Sequence, residues 1–412
     1  MSHRRRVVIT GMGVVSPLGN TPEAVAQNIF SGKSGIQRFE GAFVDKLICK
    51  VAAQAKFNPA DYFAKKSDYA ILDRIGQMAL YASIEATKDA NLPLNQQHSA
   101  GVYIGTGMGG ILSIEEGYET LFKKGENRLK PYTVLMCMYN SAASAIATHF
   151  EFSGPNLTFS TACSSSAIAI GQAYKDIKLG DIDYALAGGT DAILAYASIK
   201  SWESIRTLAE EDPDDVSASC KPFSADRSGL VIGEGAAMLV LEEFEHAQSR
   251  GAHIYAEIVG YGTANDFRHV AIPSVEGQAA TMQAAMKNSG LAPDAIQYIN
   301  AHGTGTKFND ETETEAIKQI FGKHAYQLAV SSTKSMHGHL MGAAGALEAM
   351  ITVQSLLRNE LPPTINLNNP DPKCDLNYVP NQSQKIENYQ YAMSNSFAFG
   401  GTGASLIFKQ VD

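Results

Sequence analysis

Residues 159–170, Phe-Ser-Thr-Ala-Cys-Ser-Ser-Ser-Ala-Ile-Ala-Ile, leave the chain few ways to fold locally. An apolar, turn-bounded segment leads in, small residues surround Cys163, and an apolar run follows. That order predicts a strand, a sharp turn and a buried helix ending near Gly180. The same grammar returns later. Residues 328–332 form a strand pattern, a turn follows, and an apolar helix begins Gly342-Ala-Ala-Gly-Ala-Leu. Strands that alternate with helices argue a parallel or mixed sheet with helices on both faces. A plan used twice suggests a duplicated α/β unit. No low-complexity linker separates the copies, so the halves are expected to pack tightly.

The remaining elements fit that plan. Residues 7–10 predict a buried strand closed by a Gly11-Met-Gly13 turn. Helical spacing covers 21–31 and 73–90, and residues 101–105 predict a strand. It runs into Thr106-Gly-Met-Gly-Gly110, which satisfies GxGxxG between strand and helix. The acidic residue a dinucleotide site needs about 20 positions on is missing. The plainer reading is a close backbone approach to something buried. A long polar helix carrying Glu115, Glu116, Lys123 and Lys124 follows. Residues 131–150, rich in small and sulfur-containing side chains, predict tightly packed helix. Strands are expected at 184–190 and 231–242, with a polar loop over 209–228. The second half offers strands at 254–260 and 296–301 and a helix over 277–290.

Composition closes off several classes of function. A net charge of −9 argues against a nucleic-acid partner. The five cysteines, Cys49, Cys137, Cys163, Cys220 and Cys374, are odd in number and scattered, with no CxxC pair. That fits reduced thiols in a cytoplasmic setting. Arg4-Arg5-Arg6 precedes an apolar run too short for a signal sequence. No run reaches the roughly 18 apolar residues of a membrane span.

The chemistry gathers at three side chains. At a helix N-terminus, backbone N–H groups and the helix dipole favour a thiolate, so Cys163 is a candidate nucleophile. Its alternative is a small buried hydrophobe. His302 opens Gly-Thr-Gly-Thr306, and His339 closes Lys334-Ser-Met-His337-Gly-His339; both follow strand ends. In another reading His337 and His339 begin a zinc site that Cys163 or His302 completes.

At this point the residues resemble a known family. The opening Val-Val-Ile-Thr-Gly-Met-Gly, Thr161-Ala-Cys163-Ser, Lys221-Pro-Phe-Ser-Ala-Asp226-Arg227 and Gly233-Glu-Gly-Ala occur in order. Ala301-His302-Gly-Thr-Gly-Thr306, Ser332-Thr-Lys334 through His339, and Asn395-Ser-Phe-Ala-Phe399-Gly-Gly-Thr402 complete the series. Over essentially its whole length the chain is similar to the elongating β-ketoacyl-acyl carrier protein synthases, nearest the synthase II branch. The resemblance implies the thiolase fold: duplicated βαβαβαββ halves stacked as a five-layer α-β-α-β-α sandwich, here 1–250 and 251–412. It implies an acyltransferase without a cofactor or metal. Its partners would be acyl- and malonyl-loaded acyl carrier protein and a second subunit, in a homodimer or with a related chain.

By motif match, Cys163 is the nucleophile, His302 and His339 the histidine pair, Lys334 the buried lysine and Phe399 the gate. Glu348 matches the lysine's partner, and Asp310 and Glu313 stand behind the site. Thr304, Thr306, Met108, Trp202 and Gly400 fall at substrate-binding positions. Lys65 and Arg206 lead the candidates for carrier-protein docking, ahead of Lys66, Lys123, Lys124 and Arg128. A Cys-His-His set without a second cysteine points to decarboxylating condensation rather than thiolase chemistry. The backbone N–H groups of Cys163 and Phe399 would form an oxyanion hole.

Four positions depart from the family pattern: His337, Ala398, Gly403 and Ser228. Ala398 is expected to restrict the gate loop and Gly403 to loosen it. They leave open a specialised type II polyketide or aryl polyene-like ketosynthase. Two further alternatives are a non-catalytic chain-length partner, which Cys163 argues against, and a cysteine hydrolase using a single histidine.

Overall fold

The computed structural model describes residues 5–93 and 100–411. Arg4 of the arginine run lies outside the described residues. The first half runs β1 (Val7–Val15), α1 (Arg74–Asp89), β2 (Ala100–Gly105), α2 (Ser141–Phe150), β3 (Asn156–Phe159), α3 (Ser165–Leu179), β4 (Tyr184–Asp191) and β5 (Gly235–Glu243). The second runs β6 (Ala256–Asn265), α4 (Val275–Ser289), β7 (Tyr298–Asn300), α5 (Lys307–Phe321), β8 (Ala329–Ser331), α6 (Ala344–Arg358), β9 (Tyr391–Phe397) and β10 (Thr402–Lys409).

Pairing repeats along with order. In the first half β1–β5 and β5–β4 are antiparallel, and β4–β2 and β2–β3 are parallel. In the second, β6–β10 and β10–β9 are antiparallel, and β9–β7 and β7–β8 are parallel. The two five-stranded sheets are joined edge to edge where Val7, Val8 and Ile9 pair with Ile258, Glu257 and Ala256.

Helices fill three layers. α1 and α2 cover the outside of the first sheet, and α4 and α5 the outside of the second. α3 and α6 lie side by side between the sheets and touch strands of both. α6 is buried on every face from Ala344 to Val353, which only a helix enclosed on all sides tolerates. The result is the expected five-layer α-β-α-β-α sandwich.

The structure corrects the sequence reading in several places. Gly11 and Gly13 do not make a turn: β1 continues through them, with a register shift between Ile9 and Gly11. A Cβ at Gly13 would sit 2.0 Å from the Ala82 carbonyl oxygen and one at Gly11 2.2 Å from that of Ala86. These glycines let α1 lie directly on the strand. Residues 131–150 form two helices, of which only α2 is packed into the core. In the other, Thr133–Cys137, Val134 and Leu135 are exposed, as are Met138 and Tyr139 beyond it. The polar helix over 111–118 ends in a single π turn, Glu119–Lys123. β5 begins only at Gly235, because Ile232 and Gly233 bridge to His339 and Ala53 instead.

The central layer positions the site. Cys163 precedes α3 and His339 precedes α6, so corresponding turns of the two halves meet in the middle of the molecule. Gly13→Ala is expected to destabilise the fold by about 1–3 kcal/mol through overpacking, read as a lower denaturant midpoint at unchanged slope.

Candidate active site

Cys163 lies in a 3-10 turn, Ala162–Ser164, that runs directly into α3 at Ser165. Ala162 takes a left-handed φ of 50°, which makes the turn sharp enough to present the thiol inward. The N–H groups of Phe399 and Cys163 both point at the sulfur. The dipole argument from sequence is nevertheless outweighed. Full burial pushes the thiol up to about 12, against the pull of Lys334 and those N–H groups. The resting group is a thiol.

One ligating atom from each of Cys163, His302 and His339 comes within 4.8 Å of the others. The two imidazoles stand edge to face, with centroids 5.4 Å apart. His339 Nδ1 accepts from the Met341 N–H at 3.2 Å. His302 Nδ1 faces Lys334 Nζ at 3.5 Å. With both Nδ1 atoms serving as acceptors, each ring carries its proton on Nε2. His339 Nε2 is buried with no hydrogen-bond partner among the described residues. Burial first, then the Lys334 charge, holds both rings well below their ordinary 6.5, so both are neutral donors.

Lys334 is buried and pairs with Glu348, also buried, through a short contact between Nζ and Oε1. Burial raises Glu348 to about 7, and Lys334 opposes the shift. Glu313 accepts from the N–H groups of His302 and Gly303, at 2.8 Å each, and so fixes the histidine's loop. Asp310 accepts from Phe223 N at 2.9 Å and Gly305 N at 3.3 Å. Both carboxylates act on backbone, behind the reacting atoms.

A cavity of about 800 Å³, its open mouth included, leads from solvent to Cys163, His302 and His339. Thr304 and Thr306 line it, their hydroxyls 2.9 Å apart, as do Trp202 and Phe399. Those two rings stack 5.8 Å apart. Met108 and Gly400, expected at the substrate, are not in its wall. Met108 packs into the apolar cluster that holds Cys163, Ile193, Ile199 and Met341. Gly400 donates to Val270 O at 2.7 Å with φ 85°, which ties the loop that carries Phe399 to residues 266–273. Arg206 is exposed and adjoins Thr207 in the cavity wall; Lys65 is exposed outside it. Lys66, Lys124 and Arg128 are exposed too, and Lys123 pairs with Glu119 at 2.9 Å.

The zinc reading built on His337 and His339 is not what the chain assembles. His337 Nε2 lies 3.0 Å from Thr333 Oγ1, and His337 is outside the Cys-His-His trio. The Lys334 ammonium beside His302 also opposes a divalent cation there. The other departures behave differently from expectation. Ala398 is not among the positive-φ residues. Gly403 does not loosen the loop: it pairs within β10, and a Cβ there would meet Thr281 Oγ1 at 2.4 Å. Ser228 is exposed, and its hydroxyl accepts from Glu210 N at 3.1 Å.

Sequence reasoning missed Asp191, at the end of β4. It is buried and accepts four hydrogen bonds beside the site. The only signal was Gly-Gly-Thr-Asp closing a strand pattern.

Comparison with known proteins places these observations. Residues 4–247 match the family described as beta-ketoacyl synthase, N-terminal domain, and residues 255–368 its C-terminal domain. A 3-oxoacyl-acyl-carrier-protein synthase 2 of Staphylococcus aureus (strain COL) is 42% identical, with all of both chains covered. One of Synechocystis sp. is 42% identical over 99% of this chain and 98% of its own. A crystallised beta-ketoacyl synthase of Burkholderia phymatum STM815 superimposes with TM-score 0.90 at 35% identity, over 99% of this chain and 100% of its own. A ketosynthase solved in complex with its type II PKS acyl-carrier protein, bound to the hexaketide, gives TM-score 0.91 at 33% identity over the whole of both chains.

His302 and His339 are expected to stay neutral at pH 6.5, where an ordinary histidine is half protonated. Lys334→Met removes the charge that opposes their protonation, so both titrations move up in pH. Side-chain NMR of selectively labelled histidine reads the shift.

Proposed function

Because this chain belongs to the β-ketoacyl synthase family, we propose that it is an elongating 3-oxoacyl-acyl-carrier-protein synthase of type II fatty acid synthesis. It transfers an acyl group to Cys163 and condenses it, with decarboxylation, onto malonyl carrier protein. The observation that carries this is the placement of two neutral Nε2–H donors beside one buried thiol. The full-length relatives at 42% identity favour the fatty-acid reading over the polyketide one, whose structural neighbours share 33% or less.

In the first half-reaction the Cys163 sulfur attacks the acyl thioester carbonyl. The oxyanion is held by the N–H groups of Cys163 and Phe399, which already converge on the sulfur. The C–S bond to the carrier breaks, and the carrier's thiolate leaves with the proton that Cys163 gave up. Lys334 supplies the nearby positive charge that favours thiolate while the proton is in transit.

In the second, malonyl carrier protein enters along Thr304 and Thr306. Its carboxylate leaves as carbon dioxide, and the electron pair stays behind as a thioester enolate. His302 and His339 donate Nε2–H bonds to the enolate oxygen, where the charge develops. An imidazolium would trade its proton to the enolate, so the depressed basicity of both rings serves this role. The enolate carbon attacks the acyl carbonyl, the Cys163 C–S bond breaks, and the thiolate takes a proton from solvent. A cysteine hydrolase needs one histidine as base and gives no part to a second neutral donor.

Lys65 and Arg206 are the proposed contacts for the acidic carrier protein, with Arg206 at the cavity mouth. The division into halves 1–250 and 251–412 follows the repeated strand order. A homodimer is proposed from the edge strand β3, paired only with β2, and the exposed Tyr132, Val134, Leu135, Met138 and Tyr139. Light scattering is expected to give twice 44.1 kDa; a monomer would overturn the dimer.

Cys163→Ala is expected to abolish acyl loading, followed by intact-protein mass spectrometry. His302→Ala or His339→Ala should load normally yet slow condensation by about 10²–10³, the usual loss for one such donor. Equal loss of loading and condensation would count against the donor role.

A further inference from the structure

The GxGxxG segment, which is not a nucleotide site, has a ligand of its own. Asp191 sits at the end of β4, fully buried, with two donors on each carboxylate oxygen. Oδ1 accepts from Thr106 Oγ1 at 3.0 Å and Met108 N at 3.3 Å. Oδ2 accepts from Gly107 N at 2.8 Å and Gly342 N at 2.6 Å. The segment therefore wraps an internal carboxylate in the way such loops wrap a phosphate. Both glycines are required by that approach: Cβ atoms at 107 and 342 would lie 2.9 and 2.6 Å from Oδ2.

The fourth donor comes from the other half of the molecule, and it matters where. Gly342 follows Met341, which is held at φ 48°, an uncommon conformation for a residue with a side chain. The N–H of Met341 is the one that His339 Nδ1 accepts. Thus the strained turn that orients His339 is secured one residue later by a carboxylate anchored in the Cys163-bearing half. The residues just after Asp191, Ile193 and Leu194, pack in the cluster around Cys163.

We propose that Asp191 is a positioning residue that registers the His339 turn of the second half against the Cys163 turn of the first. It makes no hydrogen bond to Cys163, His302 or His339 and acts on His339 through the Met341–Gly342 backbone; its charge also adds to burial in raising the Cys163 thiol. The inference rests on the ketosynthase reading for its consequence, because only the condensing half-reaction uses His339. Asparagine at 191 turns an amide NH₂ toward two incoming donors, so it breaks the ring rather than weakening it.

The test uses the full chain with acyl and malonyl carrier proteins. Acyl loading of Cys163 and carbon dioxide release are timed separately. Asp191→Asn is expected to slow decarboxylation at least ~tenfold, in line with the cost of a misplaced catalytic group, while loading changes less than about threefold. Thr106→Val removes a single donor and is expected to show the same bias at about three- to tenfold if the asparagine variant folds poorly. Hydrogen exchange over residues 339–345 should quicken in both variants. An equal fall in both half-reactions, or unchanged rates, overturns the proposal. If wild type loads but releases no carbon dioxide, the ketosynthase reading fails. The exchange result then still decides the matter, and unchanged exchange overturns the positioning role.

Discussion

The buried ammonium of Lys334 is the charge on which the site depends. It has no exposed surface, and an ion so placed survives only with a partner, which Glu348 provides. From there it reaches three groups at once. It lies against His302 Nδ1, lowers the basicity of both histidines, and favours the thiolate of Cys163. One cation thus sets two imidazoles as donors and steadies one nucleophile. Burial explains why no second charge is tolerated among the reacting groups: every other member of the trio rests neutral.

Duplication explains why these groups meet. Each half ends its third strand in a turn that starts a central helix, and the central layer brings the two turns together. Cys163 comes from one copy and the Lys334–His339 segment from the other. A single copy could bury neither central helix, since α6 needs a sheet on each side. The sandwich and the site are therefore one requirement: tight packing of α3 against α6 is what holds the nucleophile near its donors.

Much of this was legible in the sequence because the signals were local. Apolar runs bounded by glycine located most strands, and the small residues around Cys163 marked its turn. What was not legible depended on what lay opposite. Gly11 and Gly13 look like a turn in one dimension, yet they are strand because α1 crosses them within contact distance. Gly403 looked like added freedom, but Thr281 fills the space its side chain would need. The stretch at 134–139 read as core, yet Val134, Leu135, Met138 and Tyr139 are exposed and only Met136 and Cys137 are half-buried. Asp191 was invisible for the same reason: its four donors lie up to 151 positions from it in sequence.

The thiol itself was the least legible feature. Helix position alone argues a lowered Cys163, but desolvation wins at the buried foot of the cavity, where Phe399 stacks on Trp202 and residues 266–273 hold Gly400. A free thiolate there would be exposed to every electrophile that enters. With the thiol neutral at rest, activation in the proposed mechanism waits for an acyl thioester whose carbonyl engages the N–H groups of Cys163 and Phe399. Those N–H groups then stabilise the negative charge as it passes from sulfur to oxygen, and the leaving carrier thiolate takes the proton. The burial that raises the thiol thus confines its reactivity to the moment when a substrate carbonyl is in place.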